Sequence, residues 1–338
     1  MPWKSAIAGI TSAGALPIVS FSRSCLIQAA NNSVVNGISL YFCGGMIVLA
    51  SQTEIAIRST AEIQLTSIID VGALAALLQD AAIQEIRPRF RKLGAGDIRA
   101  KSEPTDLVTE ADEAAERHLR RAIASLAPDA LFVGEESVAA DPTILHKLAD
   151  ADLAVVVDPI DGTFNFASGI PAFGVMASVV WKGETVAGII YDPMGDDWVI
   201  AEKGSGAYLR RPDGEATRLA AADPAPIEAM VGMASAGYFY GEVRERVLGN
   251  LAKVRFVASY RCAAHEYRTF SGGHVHFAMY NRLMPWDHLA GTLIAQEAGG
   301  HVARFDGSAY LPHHVDGGLL IATDEDSWQM LRREILGV

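Results

Sequence analysis

The run Leu153-Ala-Val-Val-Val157 passes directly into Asp158-Pro-Ile-Asp-Gly-Thr163, and no other stretch of the chain constrains the fold as much. A short apolar run rich in β-branched residues reads as a buried strand. This one ends in two carboxylates three residues apart, with Pro159 between them, followed by a Gly-Thr step. A strand that ends in acidic residues and enters a glycine turn can hold a hard cation. The backbone N–H groups after the turn can hold a phosphate. The stretch therefore reads as a metal-plus-phosphate site.

The elements around it set the fold class. Apolar residues from Ile68 to about Phe90 recur at helical spacing, with Pro88 near the end. Residues 92–104 read as a loop. Thr109-Glu-Ala-Asp112 has the capping-box pattern and opens a second amphipathic helix through Ala127. Leu131-Phe-Val133 reads as a short strand running into Gly134-Glu-Glu-Ser137. Strands are expected at 153–158, 173–181, 185–191, 197–202 and 206–209, with a hairpin turn at Gly183-Glu184. Strand and helix then alternate: strands 229–233, 254–258, 275–280, 301–304 and 318–322, and helices 241–251, 262–271, 287–299 and 325–335. Helices first, antiparallel strands next and α/β last predict an α+β lobe over about 65–224 fused to an α/β lobe over about 225–338.

A length of 338 residues, half apolar and a fifth charged, suits about two domains or one two-lobed unit. The net charge of −12 argues against non-specific nucleic-acid binding and gives no polybasic signal for a membrane surface. An acidic protein that handles phosphate needs local neutralisation, and a bound divalent metal supplies it. Cys25, Cys43 and Cys262 have no metal-ligand spacing and read as free thiols in a reducing cytoplasm.

Residues 1–64 differ from the rest. Lys4, Arg23, Arg58, Glu54 and Glu62 are their only charges, a net +1 that leaves −13 to the other 274 residues. The nearly apolar run from Ile38 to Ala50 is shorter than the ~20 residues of a membrane span. Three readings stand for this atypical extension: a poorly structured segment or a start assigned too early, with Met46 as an alternative; a family-specific arm; or a targeting segment.

Acidic residues gather at four segment ends: Asp106 to Asp112, Glu135-Glu136, Asp158/Asp161 and Asp287. Singly, each has a plain structural explanation as a turn, a cap or a helix-dipole partner. Together they supply what paired magnesium ions need, several carboxylates from different segments. His274-x-His276 and His313-His314 read as structural or surface histidines.

In this order the motifs resemble the inositol monophosphatase family of magnesium-dependent sugar phosphatases. They are Asp106-Leu-Val-Thr-Glu-Ala-Asp112, Gly134-Glu-Glu-Ser137, Asp158-Pro-Ile-Asp-Gly-Thr163, and Trp286-Asp287 leading into Glu297-Ala-Gly-Gly300. The resemblance covers roughly residues 68–335. It implies a layered α-β-α-β-α sandwich, a homodimer, and hydrolysis of a small phosphate ester by a metal-activated water, with two or three Mg2+ per site. By the same resemblance, Glu135, Asp158, Asp161, Asp287 and the carbonyl of Ile160 are metal ligands. Gly162 and Thr163 are implied to cradle phosphate, Asp112 and Thr163 to orient and deprotonate the water, and Lys101 to lie near the site.

The leaving-group pocket departs from the family pattern. Tyr280 stands where inositol-hydrolysing members carry an acid, and Arg261-Cys-Ala-Ala264 replaces a Gly-Ser/Thr-Ala-Ala step. Arg261 and Arg282 could meet a second phosphate or a carboxylate, or could form structural ion pairs with Glu266 or a neighbour. Inositol phosphate, other sugar phosphates, fructose 1,6-bisphosphate, 3′-phosphoadenosine 5′-phosphate and histidinol phosphate all remain open as substrates. The expectation is a substrate with a second anionic group. A non-catalytic regulatory protein on the same scaffold is the distant alternative, and the four intact carboxylates count against it.

Overall fold

The computed structural model describes the backbone of three strands within residues 33–51, and residues 68–94, 96–101 and 106–338. Contacts divide the chain into Met1–Thr60 and Ala61–Val338. In the first unit, β1 (Ser33–Val35), β2 (Ile38–Cys43) and β3 (Met46–Ser51) form an antiparallel meander. Cys25 and the side chain of Cys43 lie outside the described residues.

In the second unit, Asp70 caps α1 (Val71–Ala81) by accepting the Ala73 N–H at 2.9 Å. The helix then widens into a π-turn, Ala82–Ile86, and stops short of the expected Phe90. The expected loop 92–104 contains a strand, β4 (Ile98–Ala100), paired with β5 (Leu107–Thr109). Next come α2 (Glu110–Leu126), β6 (Leu131–Gly134) and two short helices that the sequence reading did not find, α3 (Glu135–Ala140) and α4 (Thr143–Leu148).

β7 (Leu153–Asp161) leads into a single helical turn, α5 (Thr163–Ala167). Four further strands are as expected to within a residue: β8 (Gly174–Trp181), β9 (Glu184–Asp192), β10 (Asp197–Glu202) and β11 (Gly206–Arg210). With β12 (Ala216–Arg218) and β6 they complete a seven-stranded sheet of order β12-β11-β10-β9-β8-β7-β6, in which only the β6–β7 pair is parallel.

The rest forms a five-stranded sheet and its helices. The elements are β13 (Val231–Ala234), α6 (Gly241–Leu251), β14 (Phe256–Ala258), α7 (Ala263–Ser271), β15 (Phe277–Tyr280), α8 (Pro285–Glu297), β16 (His301–Arg304), β17 (Leu319–Ala322) and α9 (Glu325–Leu331). The strand order is β14-β13-β15-β17-β16.

Strand alternation explains the layering. Val155, Val157, Val175, Ala177 and Ile189 bury one face of the large sheet against Leu74, Leu78, Leu119 and Ile123 of α1 and α2. Met176, Ile190 and Val199 point the other way, into a core with Tyr267, Phe270, Leu293 and Ile294 of α7 and α8. That core also takes Ala278, Tyr280, Leu319 and Ile321 from the small sheet. The alternate residues Phe277, Met279 and Leu320 pack on Val247, Leu251, Trp328 and Leu331 of α6 and α9. Two sheets with helices between and outside them make the five-layer α-β-α-β-α sandwich of the α+β class that the sequence implied. Among the described residues, no helix is long and apolar enough to cross a membrane.

Candidate active site

A one-residue irregularity at the end of β7 organises the site. Asp158 pairs with Met176 and Asp161 with Gly174, so three steps on β7 oppose two on β8. In a regular strand, residues three apart face opposite sides. The extra residue in the Pro159-Ile160 segment is a bulge, which re-aims side chains, and it brings both carboxylates to one side. Gly162, at φ 88°, then turns the chain into α5. This is a left-handed conformation that glycine adopts without steric penalty.

The third carboxylate comes from α8. Pro285 occupies its first turn, where a missing N–H costs nothing, so the helix starts two residues earlier than the apolar pattern suggested. Helix α8 lies directly on β9: a Cβ on Gly188 would sit 2.6 Å from the Ala290 carbonyl oxygen. This close approach fixes the depth of Asp287. Carboxylate oxygens of Asp158, Asp161 and Asp287 lie within 4.8 Å of one another.

These groups are held against their own charge. Burial raises the pKa of Asp158 well above the usual range, and Glu135, Asp161 and Asp287 raise it further. Burial also raises Asp287, with Asp161 and Glu135 adding to it and Arg282 partly offsetting it. Asp161 is raised by burial and eased by donors from α7: its Oδ2 accepts the Ala264 N–H at 2.6 Å and the Cys262 thiol at 3.0 Å. Crowded, buried oxygen donors of this kind suit a hard cation such as Mg2+, so the donor set fits the ion that the sequence implied.

Glu135 lines the same cleft but is turned to Lys101, whose Nζ reaches Glu135 at 2.8 Å and Glu136 at 2.6 Å. Burial alone would lower the Lys101 pKa, but the two carboxylates push it up. Glu136 is raised to about 7 by burial and by Glu135. The two N–H groups that open α3 are held by buried Glu116, which accepts from Glu136 N at 2.7 Å and Ser137 N at 2.8 Å. This positioning carboxylate was not singled out from the sequence, although its place one helical turn beyond Asp112 was visible.

Asp112 does two jobs at once. Its Oδ2 closes the capping box by accepting the Thr109 N–H at 2.8 Å and the Thr109 hydroxyl at 2.5 Å. Its Oδ1 is left for the Thr163 hydroxyl, 3.0 Å away, which lies equally 3.0 Å from the Ile160 carbonyl oxygen. Burial raises Asp112 to about 7, against the Thr109 hydrogen bonds and with the Glu135 charge. A buried carboxylate near neutrality, in contact with a hydroxyl, can take up a proton.

The cleft has a volume of about 500 Å³ and is also lined by Arg261, Cys262, Glu266, Tyr280 and Arg282. Arg261 does not pair with Glu266: its guanidinium lies 3.6 Å from the centre of the Phe164 ring. Arg282 Nη1 is 3.9 Å from Asp106 Oδ2. Glu266 instead accepts from Tyr260 N at 2.7 Å and Ser259 Oγ at 3.1 Å. The sequence reading did not mark His288, which is buried on the wall and lowered to about 4, chiefly by burial. Its ring nitrogens contact Tyr267 Oη at 3.0 Å and the Arg282 carbonyl at 2.9 Å. His313 and His314 meet edge to face outside the cleft, their ring centres 4.4 Å apart.

The cleft sets crowded, buried carboxylates beside a glycine turn, an arrangement suited to a divalent cation next to a phosphate. The family profile described as the inositol monophosphatase family matches residues 70–335. The fructose-1,6-bisphosphatase/inositol-1-monophosphatase of Thermotoga maritima is 33% identical over 212 residues, spanning 62% of this chain and 76% of the relative. The inositol-1-monophosphatase of Rhizobium meliloti is 30% identical over 235 residues, spanning 69% and 84%. The crystal structure of the extragenic suppressor protein SuhB from Bartonella henselae superposes with a TM-score of 0.66 at 26% identity, covering 78% of this chain and 97% of that one. The chain belongs to the inositol monophosphatase family. It is a phosphatase that hydrolyses phosphate monoesters of small phosphorylated metabolites.

Proposed function

We propose that the reaction is magnesium-dependent, and that Asp158, Asp161, Asp287, Glu135 and the Ile160 carbonyl hold two or three Mg2+. The observation that carries this reading is the convergence of three buried or half-buried carboxylates within 4.8 Å of one another, each with its ionised form disfavoured. Bound there, the metal supplies Lewis acidity: it makes a water acidic near neutral pH and offsets charge on the phosphoryl oxygens. The protein's own part is proton transfer and orientation. Thr163 gives its proton to Asp112 as it takes one from the attacking water, and the capping box keeps Asp112 aimed at Thr163. Gly162 and Thr163 line the phosphate end, where first-turn N–H groups have no intrahelical acceptor. Lys101 holds Glu135 and Glu136 in place.

The substrate is a small phosphate ester, with neither nucleic acid nor membrane as partner, and the enzyme is read as a cytoplasmic homodimer. Its catalytic domain is residues 65–338, with residues 1–64 an atypical extension. A second reading, a bisphosphate or histidinol phosphate as substrate, is favoured by Arg261 and Arg282 on the cleft wall. Phosphate release should be measured with Mg2+ on inositol 1-phosphate, fructose 1,6-bisphosphate, 3′-phosphoadenosine 5′-phosphate and histidinol phosphate. Turnover that survives exhaustive chelation would overturn the metal reading. Strong preference for neutral polyol monophosphates would dismiss the bisphosphate one.

A further inference from the structure

One residue of the cleft stands in a backbone conformation that its side chain disfavours. Arg261 has φ 52°, in the left-handed region that a residue with a Cβ enters only at a cost. Such strain persists where the surroundings over-determine it, and it gathers at ligand clamps and active sites. Here the loop before α7 is tied to three elements. On α7, buried Glu266 accepts from Tyr260 N at 2.7 Å and Ser259 Oγ at 3.1 Å, and Ser259 Oγ in turn accepts the Arg261 N–H at 3.2 Å. On α5, buried Asn165 donates to the Tyr260 carbonyl at 2.7 Å. At the end of β7, Asp161 accepts the Cys262 thiol at 3.0 Å. The loop so held lays the Arg261 guanidinium 3.6 Å from the centre of the ring of Phe164, the residue after Thr163, and both line the cleft. The ring fixes the plane of the guanidinium, and the exposed N–H edge remains for a ligand. Arg282 already faces a carboxylate, with Nη1 3.9 Å from Asp106 Oδ2. Among the described residues, Arg261 has the Phe164 ring as its partner and pairs with no carboxylate.

We propose that Arg261 selects the substrate, by binding a second phosphate with a guanidinium that the strained loop and the Phe164 ring set in place beforehand. A guanidinium fixed in its plane meets a phosphate bidentately and loses little freedom in doing so. Elsewhere the cleft is lined by carboxylates, Glu135, Asp158, Asp161, Glu266 and Asp287, so a second anion has its place at Arg261. The inference rests on the second reading above and narrows it. That reading admits a bisphosphate or histidinol phosphate. The protonated amine of histidinol phosphate would meet a cation at Arg261, so the bisphosphate is the substrate class. Arg282, whose charge is shared with Asp106, is not the selector.

The test uses the full chain with Mg2+ and compares fructose 1,6-bisphosphate, fructose 1-phosphate, which lacks only the second phosphate, and histidinol phosphate. The wild type should favour the bisphosphate over fructose 1-phosphate in kcat/KM by at least about tenfold, the scale of a hydrogen bond to a charged group. It should be slowest on histidinol phosphate. In Arg261→Gly, where a left-handed backbone carries no steric penalty, and separately in Arg261→Gln, that preference should fall about tenfold through a raised KM for the bisphosphate. Phe164→Leu should lower it in the same direction, and Arg261→Lys should keep only part of it. In Arg282→Gln it should survive. A wild-type preference for the bisphosphate that persists in Arg261→Gly overturns this inference and leaves the second-anion reading standing. A full preference in Arg261→Lys overturns the placed guanidinium in favour of charge alone. Faster turnover of histidinol phosphate than of the bisphosphate overturns the narrowing. Equal kcat/KM on the two fructose esters in the wild type sinks the second-anion reading itself.

Discussion

The aspartates at the end of β7 and the carboxylate of Glu266 line one cleft, and both are removed from water. At the end of β7, Asp158 accepts the Ile160 N–H at 2.9 Å, and its charged neighbours are other carboxylates. On α7, Glu266 accepts from the neutral donors Tyr260 N and Ser259 Oγ, and burial outweighs the Asp161 charge in raising its pKa. Desolvation penalises both, but mutual repulsion is confined largely to the first group. A wall of self-repelling carboxylates needs a cation to be stable when ionised. One carboxylate among neutral donors can rest as it is without a cation. The reacting end and the selecting end of the cleft therefore differ in how their charge is balanced.

The most forceful way to break that contrast is Asp158→Asn. Turnover should fall roughly 10²–10³-fold, the scale of losing one preorganised electrostatic partner. In chelator the same variant should be more stable than the wild type, because one of the repelling charges is gone. Phosphate-release kinetics and denaturant unfolding in chelator measure the two effects. A variant that is less stable under those conditions would mean that the aspartates do not repel one another. Next comes Thr163→Val, which removes the hydroxyl between Asp112 and the Ile160 carbonyl. We expect kcat to drop about 10²-fold, as for loss of a general base contact, with KM little changed. A raised KM at unchanged kcat would assign Thr163 to ground-state phosphate binding instead.

How much of each wall was legible in the sequence follows from the same contrast. Asp158, Asp161, Gly162 and Thr163 are adjacent in the chain, so strand-end chemistry and a glycine turn were enough to group them. Glu135 and Asp287 came from motifs at two other segment ends. Helical and strand periodicity gave an α+β lobe followed by an α/β lobe, the family resemblance implied the five layers, and most elements fell within two residues of expectation. What escaped was set by non-local packing. The strand at 98–100 exists only through its pairing with Leu107–Thr109. An ion pair with Glu266 was one of the two readings left open for Arg261, yet the loop before α7 folds back and satisfies Glu266 with Tyr260 and Ser259. Arg261 turns to Phe164, a contact between segments almost a hundred residues apart that no local pattern encodes.

A third experiment sharpens the comparison through pH. Asp112 has its pKa raised from 3.8 to about 7. Between those values the folded protein keeps a proton that the unfolded chain has released. Raising the pH through that window therefore lowers stability in the absence of metal. The ligands Asp158, Asp161 and Asp287 are raised in the same direction, and Mg2+ binds their ionised forms, so its stabilisation should be larger at pH 8 than at pH 5. At a concentration of 100 Kd it should be worth about 2.7 kcal/mol. Calorimetry at both pH values, with Mg2+ and with chelator, checks this. Equal stabilisation at the two pH values would contradict a site built from raised carboxylates.

The smallest effect belongs to Glu266, and it separates the two walls most cleanly. Its pKa is raised from 4.5 to about 7, first by burial and against the donors from Tyr260, Tyr280 and Ser259. The folded state again binds the proton more tightly, so the wild type loses stability from this residue as pH rises through that interval. Glutamine cannot ionise, so Glu266→Gln should match the wild type near pH 4.5 and be more stable at pH 8, by about 1 kcal/mol. The gain is kept small because the ionised carboxylate has good donors that glutamine receives less strongly. Because Glu266 is not among the clustered aspartates, Mg2+ should leave this difference almost unchanged, whereas it should erase the gain from Asp158→Asn. Denaturant unfolding of both variants at pH 5 and pH 8, with and without Mg2+, gives the comparison. A Glu266→Gln gain that vanishes with Mg2+ would join the two walls into one electrostatic unit.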